Sequence, residues 1–238
     1  MTELNNKKII VTGASSGIGQ EIAISLANAG ALIIATGRNK SRLHHLQKSI
    51  IADGGRCSVY DLNLSNYSEI KSFINFTKKN FRVIDWIVNS AGHIAKKETL
   101  QNAELTVRVN FLAPYYLIHL LLPFLNKEGG IINISSTAAL RSNPTFPVYS
   151  ASKAALHVLS TALAQRPSSS PCFTICPGPT NTPMREKIAG DAASKQGPEF
   201  ISRCVRKIIL GKSRYQNGDI IVVRDRQEKI LSRLPKKI

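Results

Sequence analysis

The stretch Thr12-Gly-Ala-Ser-Ser-Gly-Ile-Gly19 decides the fold of this 238-residue chain. It follows a short apolar run, Lys8–Thr12, and continues directly into Ile18–Ala29, where apolar residues recur at the spacing of a helix. Glycines in such a place allow the backbone to turn tightly between a strand and a helix. The stretch therefore predicts a strand, a glycine-rich turn and a helix in succession, which is a common beginning of an α/β fold.

The remaining chain repeats this alternation. Segments with helical apolar spacing, such as Ile70–Lys79 and Tyr149–Ala164, lie between short runs that are rich in β-branched residues. Near-continuous apolar strands that alternate with helices are typical of a parallel sheet covered on both faces. We therefore predict one α/β domain over residues 1–238, a doubly wound parallel β-sheet (Rossmann fold) of about seven strands with helices on both faces. The predicted strands are Lys8–Thr12, Leu32–Thr36, Cys57–Asp61, Ile84–Asn89, Gly130–Ser135, Cys172–Cys176 and Asp219–Val223.

The glycine turn also predicts a ligand. Backbone N–H groups at such a turn and at the helix that follows it bind the pyrophosphate of a dinucleotide. The second strand ends in Ala35-Thr-Gly-Arg-Asn39, without the acidic residue that would bind the ribose 2′-hydroxyl of NAD(H). Gly37 leaves room for a 2′-phosphate, and Arg38 can pair with it. This pattern favours NADP(H) over NAD(H); the alternative is that Arg38 is an exposed cation at a helix start.

A proton-transfer pair is predicted on a later helix. In Tyr149-Ser-Ala-Ser-Lys153 the tyrosine and the lysine are four residues apart, so they are neighbours on one helix face. A nearby Lys⁺ favours the phenolate and lowers the pKa of a tyrosine, which makes the hydroxyl a usable acid or base. Such a pair also arises by chance on surfaces. The strand Ile131-Ile-Asn-Ile-Ser-Ser136 adds serine hydroxyls at its carboxyl end, where ligands bind.

Taken together, these motifs resemble the short-chain dehydrogenase/reductase family over nearly the whole chain. The glycine turn matches the family's TGxxxGxG, and Asn89-Ser-Ala-Gly92 matches its NNAG with Ser90 in the second place. Ser136 stands thirteen residues before Tyr149. The other matching positions are Asn110 in Val109-Asn-Phe111 and Pro177-Gly178 ahead of Thr182.

The resemblance implies a role for each of these residues. Ser136, rather than Ser135, would orient a carbonyl group, and Tyr149 would be the acid or base. Lys153 would lower the tyrosine pKa and hold the nicotinamide ribose, while Asn110 would anchor a water in the proton relay. Cofactor binding is expected of Gly13, Ser15, Ser16, Gly17, Ile18, Gly19, Arg38, Asp61, Leu62, Asn89, Ala91, Gly92, Tyr149, Lys153, Pro177, Gly178, Thr180 and Thr182. Alternatively, Asp61 would only cap the end of a strand, and Asn110 would only mark a kink in a helix.

The formal net charge of +17 is concentrated near the end of the chain, where 203–237 holds eleven Lys or Arg and three acidic residues. Such a charge attracts nucleic acid, an anionic membrane or an acidic carrier protein, or it forms a solvated face, which is the interpretation we favour. Without a nucleic-acid motif, charge alone does not favour a nucleic-acid partner. In the basic tail, 224–238, Ile230, Leu231 and Leu234 have helical spacing, suited to a membrane surface or, as we prefer, to packing on the same subunit.

Two further segments bear on quaternary structure and on the substrate site. The tail replaces the family's usual Asp-Gly-Gly ending, in a region that packs between subunits in family tetramers. A homodimer through the helix Ala103–Leu125 and the Tyr149 helix therefore remains as an alternative to a tetramer. The polar segment 183–200, with Gly190 and Gly197, is predicted to be a substrate flap.

The chain is expected to be cytoplasmic. Its polar opening, Met1–Lys8, has no signal-peptide core, and the apolar run Phe111–Leu125 is interrupted by prolines and too short to span a bilayer. That run is predicted to be a buried or interface helix. The cysteines show neither a CxxC pair nor metal-ligand spacing, so we expect reduced, buried thiols and no metal. They are Cys57, Cys172, Cys176 and Cys204.

The function predicted from the sequence is an NADP(H)-dependent oxidoreductase that acts on a carbonyl or secondary alcohol substrate. A 3-oxoacyl-carrier-protein reductase is a second enzymatic possibility, in which the basic surface would bind an acidic carrier. A non-catalytic NADPH-sensing regulator is the alternative from another class. The presence of Asn110, Ser136, Tyr149 and Lys153 together argues against a pure sensor, which has no chemical need for all four.

Overall fold

The computed structural model describes residues 3–141, 143–166, 170–190 and 196–232. Its centre is an eight-stranded sheet in the order β3-β2-β1-β4-β5-β6-β7-β8, in which the first seven strands are parallel and β8 is antiparallel to β7. This confirms the doubly wound α/β fold, with one strand more than the seven predicted. The strands are β1 (Lys8–Thr12), β2 (Leu32–Gly37), β3 (Arg56–Asp61), β4 (Ile84–Asn89), β5 (Leu125–Ile134), β6 (Cys172–Pro177), β7 (Ile220–Arg224) and β8 (Gln227–Ser232).

Helices cover both faces of the sheet because successive residues of each strand point to opposite sides. Ile9 of β1 packs with α1, α2 and α8, whereas the next residue, Ile10, packs with α3 and α5 on the other face. Both isoleucines are fully buried. The helices are α1 (Gly17–Asn28), α2 (Lys40–Ala52), α3 (Tyr67–Phe81), α4 (Leu100–Val107), α5 (Ala113–Leu121), α6 (Pro147–Ala164), α7 (Pro183–Ala189) and α8 (Glu199–Ile209).

The apolar run expected to be a buried or interface helix belongs to a continuous helical segment, Leu100–Phe124. Within it, a π-helical turn at Arg108–Leu112 joins α4 to α5. The segment has the length and apolar composition of a membrane span, but Ala113, Leu117 and Leu121 are fully buried between α3 and the sheet. It is therefore a core helix of this fold.

The basic tail differs from its predicted helical pattern. Residues Gln227–Ser232 form β8, which returns along β7 after a two-residue turn and places Ile230 opposite Ile221. Both turn residues, Asp225 and Arg226, have positive φ, as in the turns that favour tight hairpins. The helical interpretation of Ile230 and Leu231 is wrong because pairing with the exposed edge of β7 satisfies the backbone. Leu234 and the rest of the tail lie outside the described residues.

Candidate active site

The glycine turn takes the conformation that only glycine adopts easily. Gly13 and Gly17 have φ of +68° and +57°. A Cβ on Gly13 would lie 2.7 Å from Ala91 Cα, and one on Gly19 would lie 2.5 Å from the Gly13 carbonyl oxygen. Side chains at these positions would therefore push the turn away from the end of β4 and from α1.

The first turn of α1 is left open to an anion. Its N-cap, Ser16, makes no side-chain capping bond, and the first turn carries no acidic residue. The helix therefore keeps backbone N–H groups and the positive end of its dipole for a ligand. Ser15 and Ile18 flank these groups within the same turn and are partly buried.

Thr12, which no sequence pattern singles out, joins the glycine turn to the loop that follows β4. Its Oγ1 accepts hydrogen bonds from the backbone N–H groups of Ser90 and Ala91, both at 3.1 Å. Ser90 Oγ and Asn89 Oδ1 are buried and lack a hydrogen-bond partner among the described residues. Buried polar atoms rarely stay unpaired, so these atoms, together with the open helix end, fit a polar ligand such as a dinucleotide.

The residues predicted for the adenosine end lie together at the carboxyl edge of β2 and β3. A Cβ on Gly37 would come within 3.0 Å of Ser15 Oγ, so the end of β2 directly contacts the glycine turn. Arg38 is exposed beside it, and Asp61 pairs in register with Gly37. The buried Leu62 donates its N–H to the Gly37 carbonyl at 2.9 Å.

Tyr149 and Lys153 lie on α6, with Lys153 buried and Tyr149 partly exposed. Burial lowers the pKa of Lys153 to about 8, and its Nζ donates to the Ile134 carbonyl at 2.9 Å. Burial also raises the pKa of Tyr149, and the nearby Ser136 side chain lowers it only in part. In this structure burial outweighs the contribution of Ser136, so the pKa of Tyr149 is raised.

The two serines at the end of β5 face different partners. Ser136 caps a short 3₁₀ turn, accepting from Ala138 N–H at 3.1 Å, and its hydroxyl reaches Tyr149. Ser135 is buried and donates to the Lys153 carbonyl oxygen at 2.9 Å. Ser136 is therefore the serine whose hydroxyl is in the open site, while Ser135 holds α6 against the sheet.

His157, also not selected from the sequence, lies beneath Lys153. Its Nε2 is 2.8 Å from Ser135 Oγ and 3.2 Å from Cys176 Sγ. Burial, assisted by the charge of Lys153, lowers the pKa of His157 to about 4, so the imidazole is neutral at physiological pH. The available signal was its position four residues after Lys153, on the same helix face.

Asn110 lies in the π-helical turn and is fully buried. Its Nδ2 donates to the His93 carbonyl at 2.9 Å and to Ser152 Oγ at 3.0 Å, while its Oδ1 accepts from His93 N–H at 2.7 Å. A Cβ on Gly92 would lie 3.6 Å from Lys153 Nζ and 3.7 Å from Asn110 Oδ1. Asn110 thus brings the loop after β4 close to the lysine.

The loop after β6 closes the site from the other side. Pro177 ends that strand, and Gly178 donates its N–H to the Val223 carbonyl at 2.8 Å. Thr182 caps α7, and a Cβ on Gly17 would lie 3.2 Å from the Thr182 side chain. The loop therefore contacts the glycine turn.

Gln196, within the predicted flap, fixes this loop. It is 2% exposed, and its Nε2 donates to Thr180 Oγ1 at 3.0 Å and to the Val223 carbonyl at 3.1 Å. Its Oε1 accepts from Arg226 N–H at 3.3 Å. No local sequence pattern indicates Gln196, because its partners are remote along the chain.

A narrow cavity of about 20 Å³ adjoins the Tyr149 ring. Phe146 and Val148 line it, and Glu98 accepts the Val148 N–H at 3.3 Å. His93, whose pKa is lowered by burial and by the charges of Arg38 and Lys187, has its Nδ1 3.1 Å from Thr106 Oγ1. The four cysteines are buried and free, and the described part of the chain contains no cluster of side chains that would hold a metal ion.

Known proteins are similar to this chain in sequence and in fold. The family profile described as short chain dehydrogenase matches residues 7–193. An uncharacterised oxidoreductase of Staphylococcus saprophyticus is 34% identical over 212 residues, covering 85% of this chain and 90% of its own. A 3beta-hydroxysteroid dehydrogenase of Mediterraneibacter gnavus is 29% identical over 227 residues, covering 90% of this chain and 82% of its own.

Among solved structures, a short chain dehydrogenase of Shigella flexneri complexed with NADP has a TM-score of 0.86 and 25% identity, covering 93% of this chain and 98% of its own. The matched residues run from β1 through α7 and include the glycine turn, Asn110, Ser136, Tyr149 and Lys153. This chain therefore belongs to the short-chain dehydrogenase family and is an oxidoreductase of that family.

Proposed function

We propose that this protein is an NADP(H)-dependent oxidoreductase that interconverts a ketone or aldehyde and the corresponding alcohol, with Tyr149 as the acid or base. The observation that carries the proposal is the convergence of Ser136, at the end of β5, with Tyr149 and the buried Lys153 on α6, whose Nζ donates to the Ile134 carbonyl of β5. An acid, a hydrogen-bond donor and a cation at one place suit the reduction of a carbonyl.

NADPH, when bound, supplies the hydride. The tyrosine hydroxyl, whose pKa is raised by burial, keeps its proton at neutral pH and gives it to the carbonyl oxygen as that oxygen gains negative charge. Ser136 Oγ orients the same oxygen by a hydrogen bond. Lys153, as a cation, stabilises the phenolate that remains after the transfer. In the direction of alcohol oxidation the same groups act in reverse.

The preference for NADP(H) rests on the end of β2. The exposed Arg38 follows Gly37, and the strand lacks an acidic residue where the 2′-hydroxyl of NAD(H) would bind. The Shigella flexneri relative complexed with NADP supports the same choice. The rest of the cofactor would lie along Gly13–Gly19, Asn89, Ala91, Gly92, Pro177, Gly178, Thr180 and Thr182. Dissociation constants for NADPH and NADH test this directly, and tighter NADH binding would contradict it.

The substrate is a carbonyl compound with apolar groups beside the reacting carbon. This class is supported by Phe146 and Val148 in the cavity next to Tyr149, and by the steroid dehydrogenase among the relatives. Residues 183–190 and 196–200 of the predicted flap would cover the bound substrate, while 191–195 lie outside the described residues. Met184 already lies near Lys153: a Cβ on Gly92 would be 3.6 Å from both Met184 Cε and Lys153 Nζ.

The decisive experiment compares Tyr149→Phe with wild type on a panel of ketones, acyl thioesters and alcohols, followed by NADPH absorbance. We expect a loss of roughly 10²–10⁴-fold in kcat, because proton transfer by a positioned side chain contributes about that much. Tyr67→Phe, at a half-exposed tyrosine on α3, is the matched control and should keep wild-type turnover.

Binding of NADPH by Tyr149→Phe must be measured alongside. Retained binding with lost turnover supports the assigned mechanism, whereas unchanged turnover overturns it. If wild-type protein bound NADPH but turned over no member of the panel, the sensor hypothesis would replace the enzyme. Activity on carrier-bound thioesters alone would select the acyl-carrier reductase.

We also propose a cytoplasmic homodimer, formed through the helix Leu100–Phe124 and α6. Exposed apolar side chains on these helices support this interface, since Val158 is 71% exposed and Tyr115 is 41% exposed. The buried, free thiols are in keeping with a reducing compartment. Light scattering after size exclusion tests the assembly, and a monomeric mass at micromolar concentration would refute it.

A further inference from the structure

Lys153 is attached to the end of β5 at two points. Its Nζ donates to the Ile134 carbonyl at 2.9 Å, and its own main-chain carbonyl accepts from the Ser135 hydroxyl at 2.9 Å. Ile134 is the last residue of β5, and Ser135 follows it directly. The position of the lysine on α6 therefore depends on the direction in which the Ser135 hydroxyl points.

His157 determines that direction. Its Nε2 is 2.8 Å from Ser135 Oγ, and Ser135 is buried. A serine hydroxyl has one proton, so it cannot donate to the Lys153 carbonyl and to His157 at the same time. If it donated to His157, two acceptor oxygens would face each other at 2.9 Å. Both contacts are attractive only when His157 Nε2–H donates to Ser135 and Ser135 donates to Lys153.

The imidazole suits this arrangement because it is neutral. Burial, followed by the charge of Lys153, lowers the pKa of His157 to about 4, so the ring carries a single proton at neutral pH. Cys176 Sγ, 3.2 Å from the same nitrogen, keeps its proton because burial raises the pKa of this thiol to about 12. Ser135 and Cys176 are therefore both uncharged, and they leave the charge of Lys153 to act on Tyr149.

We propose that His157 is a positioning residue for the reaction: through Ser135 it holds the turn of α6 that carries Lys153, and so keeps the ammonium group where the Tyr149 phenolate forms. It acts through Ser135 and not on the substrate. The inference deepens the proposed function and rests on it, because the position of Lys153 affects the rate only if Tyr149 is the acid or base. The alternative is a histidine that only fills space, whose contact with Ser135 has no effect on the rate.

The test compares His157→Gln with His157→Met. Both replacements remove the imidazole and have side chains of equal length, but only the glutamine amide can donate to Ser135. We expect His157→Met to lower kcat about tenfold with an unchanged KM for the carbonyl substrate, since a buried hydrogen bond contributes about that much and Lys153 acts on charge that forms in the transition state. His157→Gln should recover most of the loss. Equal kcat in the two variants would overturn the inference.

Ser135→Ala gives an independent measurement, which decides the question even if His157→Met fails to fold. It removes the group through which His157 acts, so kcat should fall about as far as in His157→Met. Adding His157→Met to Ser135→Ala should cost no further rate, whereas additive losses would show that His157 acts without Ser135. The matched control is His45→Met, at an exposed histidine on α2, which should keep wild-type kinetics.

The kinetics of Tyr149→Phe separate failure of this inference from failure of the proposed function. If Tyr149→Phe loses turnover while His157→Met and Ser135→Ala keep it, only the positioning role is wrong. If Tyr149→Phe keeps turnover, the proposed function is wrong and the positioning role is wrong with it.

NADPH binding provides a measurement that needs no substrate. Because Lys153 is also assigned to the nicotinamide ribose, the dissociation constant of NADPH should be about threefold higher in His157→Met than in His157→Gln. Fluorescence titration measures both constants. If wild type turns over no compound of the panel, equal constants in the two variants would overturn the positioning role.

Discussion

Two turns in this molecule use left-handed backbone, yet they differ in the residues that form it. The turn after β1 has positive φ at Gly13 and Gly17, whereas the turn between β7 and β8 has positive φ at Asp225 and Arg226. The first is packed against Ala91 and Thr182, so that even a Cβ would collide or crowd. The second faces solvent, and both of its side chains are exposed.

Left-handed backbone in these two turns has two different physical causes. Where the surrounding backbone leaves no space, only glycine fits, and the requirement is visible in the sequence. Where the turn is open, ordinary residues accept the strain because distant contacts stabilise the hairpin. Those contacts are the pairing of β8 with β7 and the binding of Glu228 by Lys207 and Tyr215. The sequence therefore contains no local signal for the second turn.

The largest expected effect comes from Gly13→Ala. Its Cβ would lie 2.7 Å from Ala91 Cα in a backbone conformation that already disfavours side chains, so the turn must move. We expect NADPH affinity to fall by at least about 100-fold, or roughly 2.7 kcal/mol, because the helix N-terminus no longer faces the pyrophosphate. Cofactor fluorescence titration measures this.

Gly54→Ala is the control for Gly13→Ala. Gly54 has φ +79°, but a Cβ there meets nothing within 4 Å. It should lose about 1 kcal/mol of stability from backbone strain alone and keep its NADPH affinity. If both variants bound NADPH equally well, close packing would not be what distinguishes the first turn.

A smaller effect is expected where the C-terminal hairpin meets the cofactor loop. Gln196→Leu removes the buried hydrogen bonds to Thr180 Oγ1 and to the Val223 carbonyl, although this carbonyl keeps its bond from the Gly178 N–H. We expect KM for NADPH to rise about tenfold with a lesser change in kcat. Gln101→Leu, at an exposed position on α4, should leave steady-state kinetics unchanged. An unchanged KM for NADPH in Gln196→Leu would show that contact with the C-terminal hairpin does not affect how the cofactor loop binds NADPH.

The buried His157 makes the free energy of unfolding depend on pH. Its folded pKa of about 4 lies below the ordinary value of 6.5, so between these values the unfolded chain binds a proton that the folded chain does not. Stability should therefore fall as pH decreases from 6.5 to 4. Thermal unfolding of wild type and His157→Gln measures the slope, which should be shallower in the variant; parallel curves would contradict the assignment.

The smallest effect is expected at the open turn. Asp225→Gly relieves a positive φ of 49° and loses an exposed ion pair with Arg224, which contributes little. The gain in stability should be about 0.5 kcal/mol or less, since glycine also costs entropy on folding. Denaturant unfolding detects the change, and a loss of more than about 1 kcal/mol would show that this turn is not open.

The sequence predicted most of the fold because its signals are local. The apolar runs that form β1 and β4 match the strands found, and Tyr149 to Ala164 lies within α6. It did not predict β8, whose apolar Ile230 and Leu231 fit a helix equally well over so short a stretch. Pairing with the edge of β7 decided between the two.

The same distinction holds within the site. The glycine turn and the Tyr149–Lys153 spacing were readable, since both are short patterns of residue types. Thr12, Gln196 and His157 were not predictable, because their partners lie far away in the chain. Thr12 binds Ser90 and Ala91, Gln196 binds Thr180 and Val223, and His157 contacts Ser135 and Cys176. The direction of the Tyr149 pKa was also out of reach, since desolvation depends on what covers the ring.

By itself, the sequence determined the α/β fold, the glycine turn and the spacing of the candidate catalytic residues, because each follows from backbone freedom or helical periodicity. Tertiary structure alone decided that Ser136 caps the turn after β5 while Ser135 binds the Lys153 carbonyl, and that the basic segment folds back as a strand along β7. These features depend on burial and on contacts between residues far apart in the chain, which no local pattern encodes.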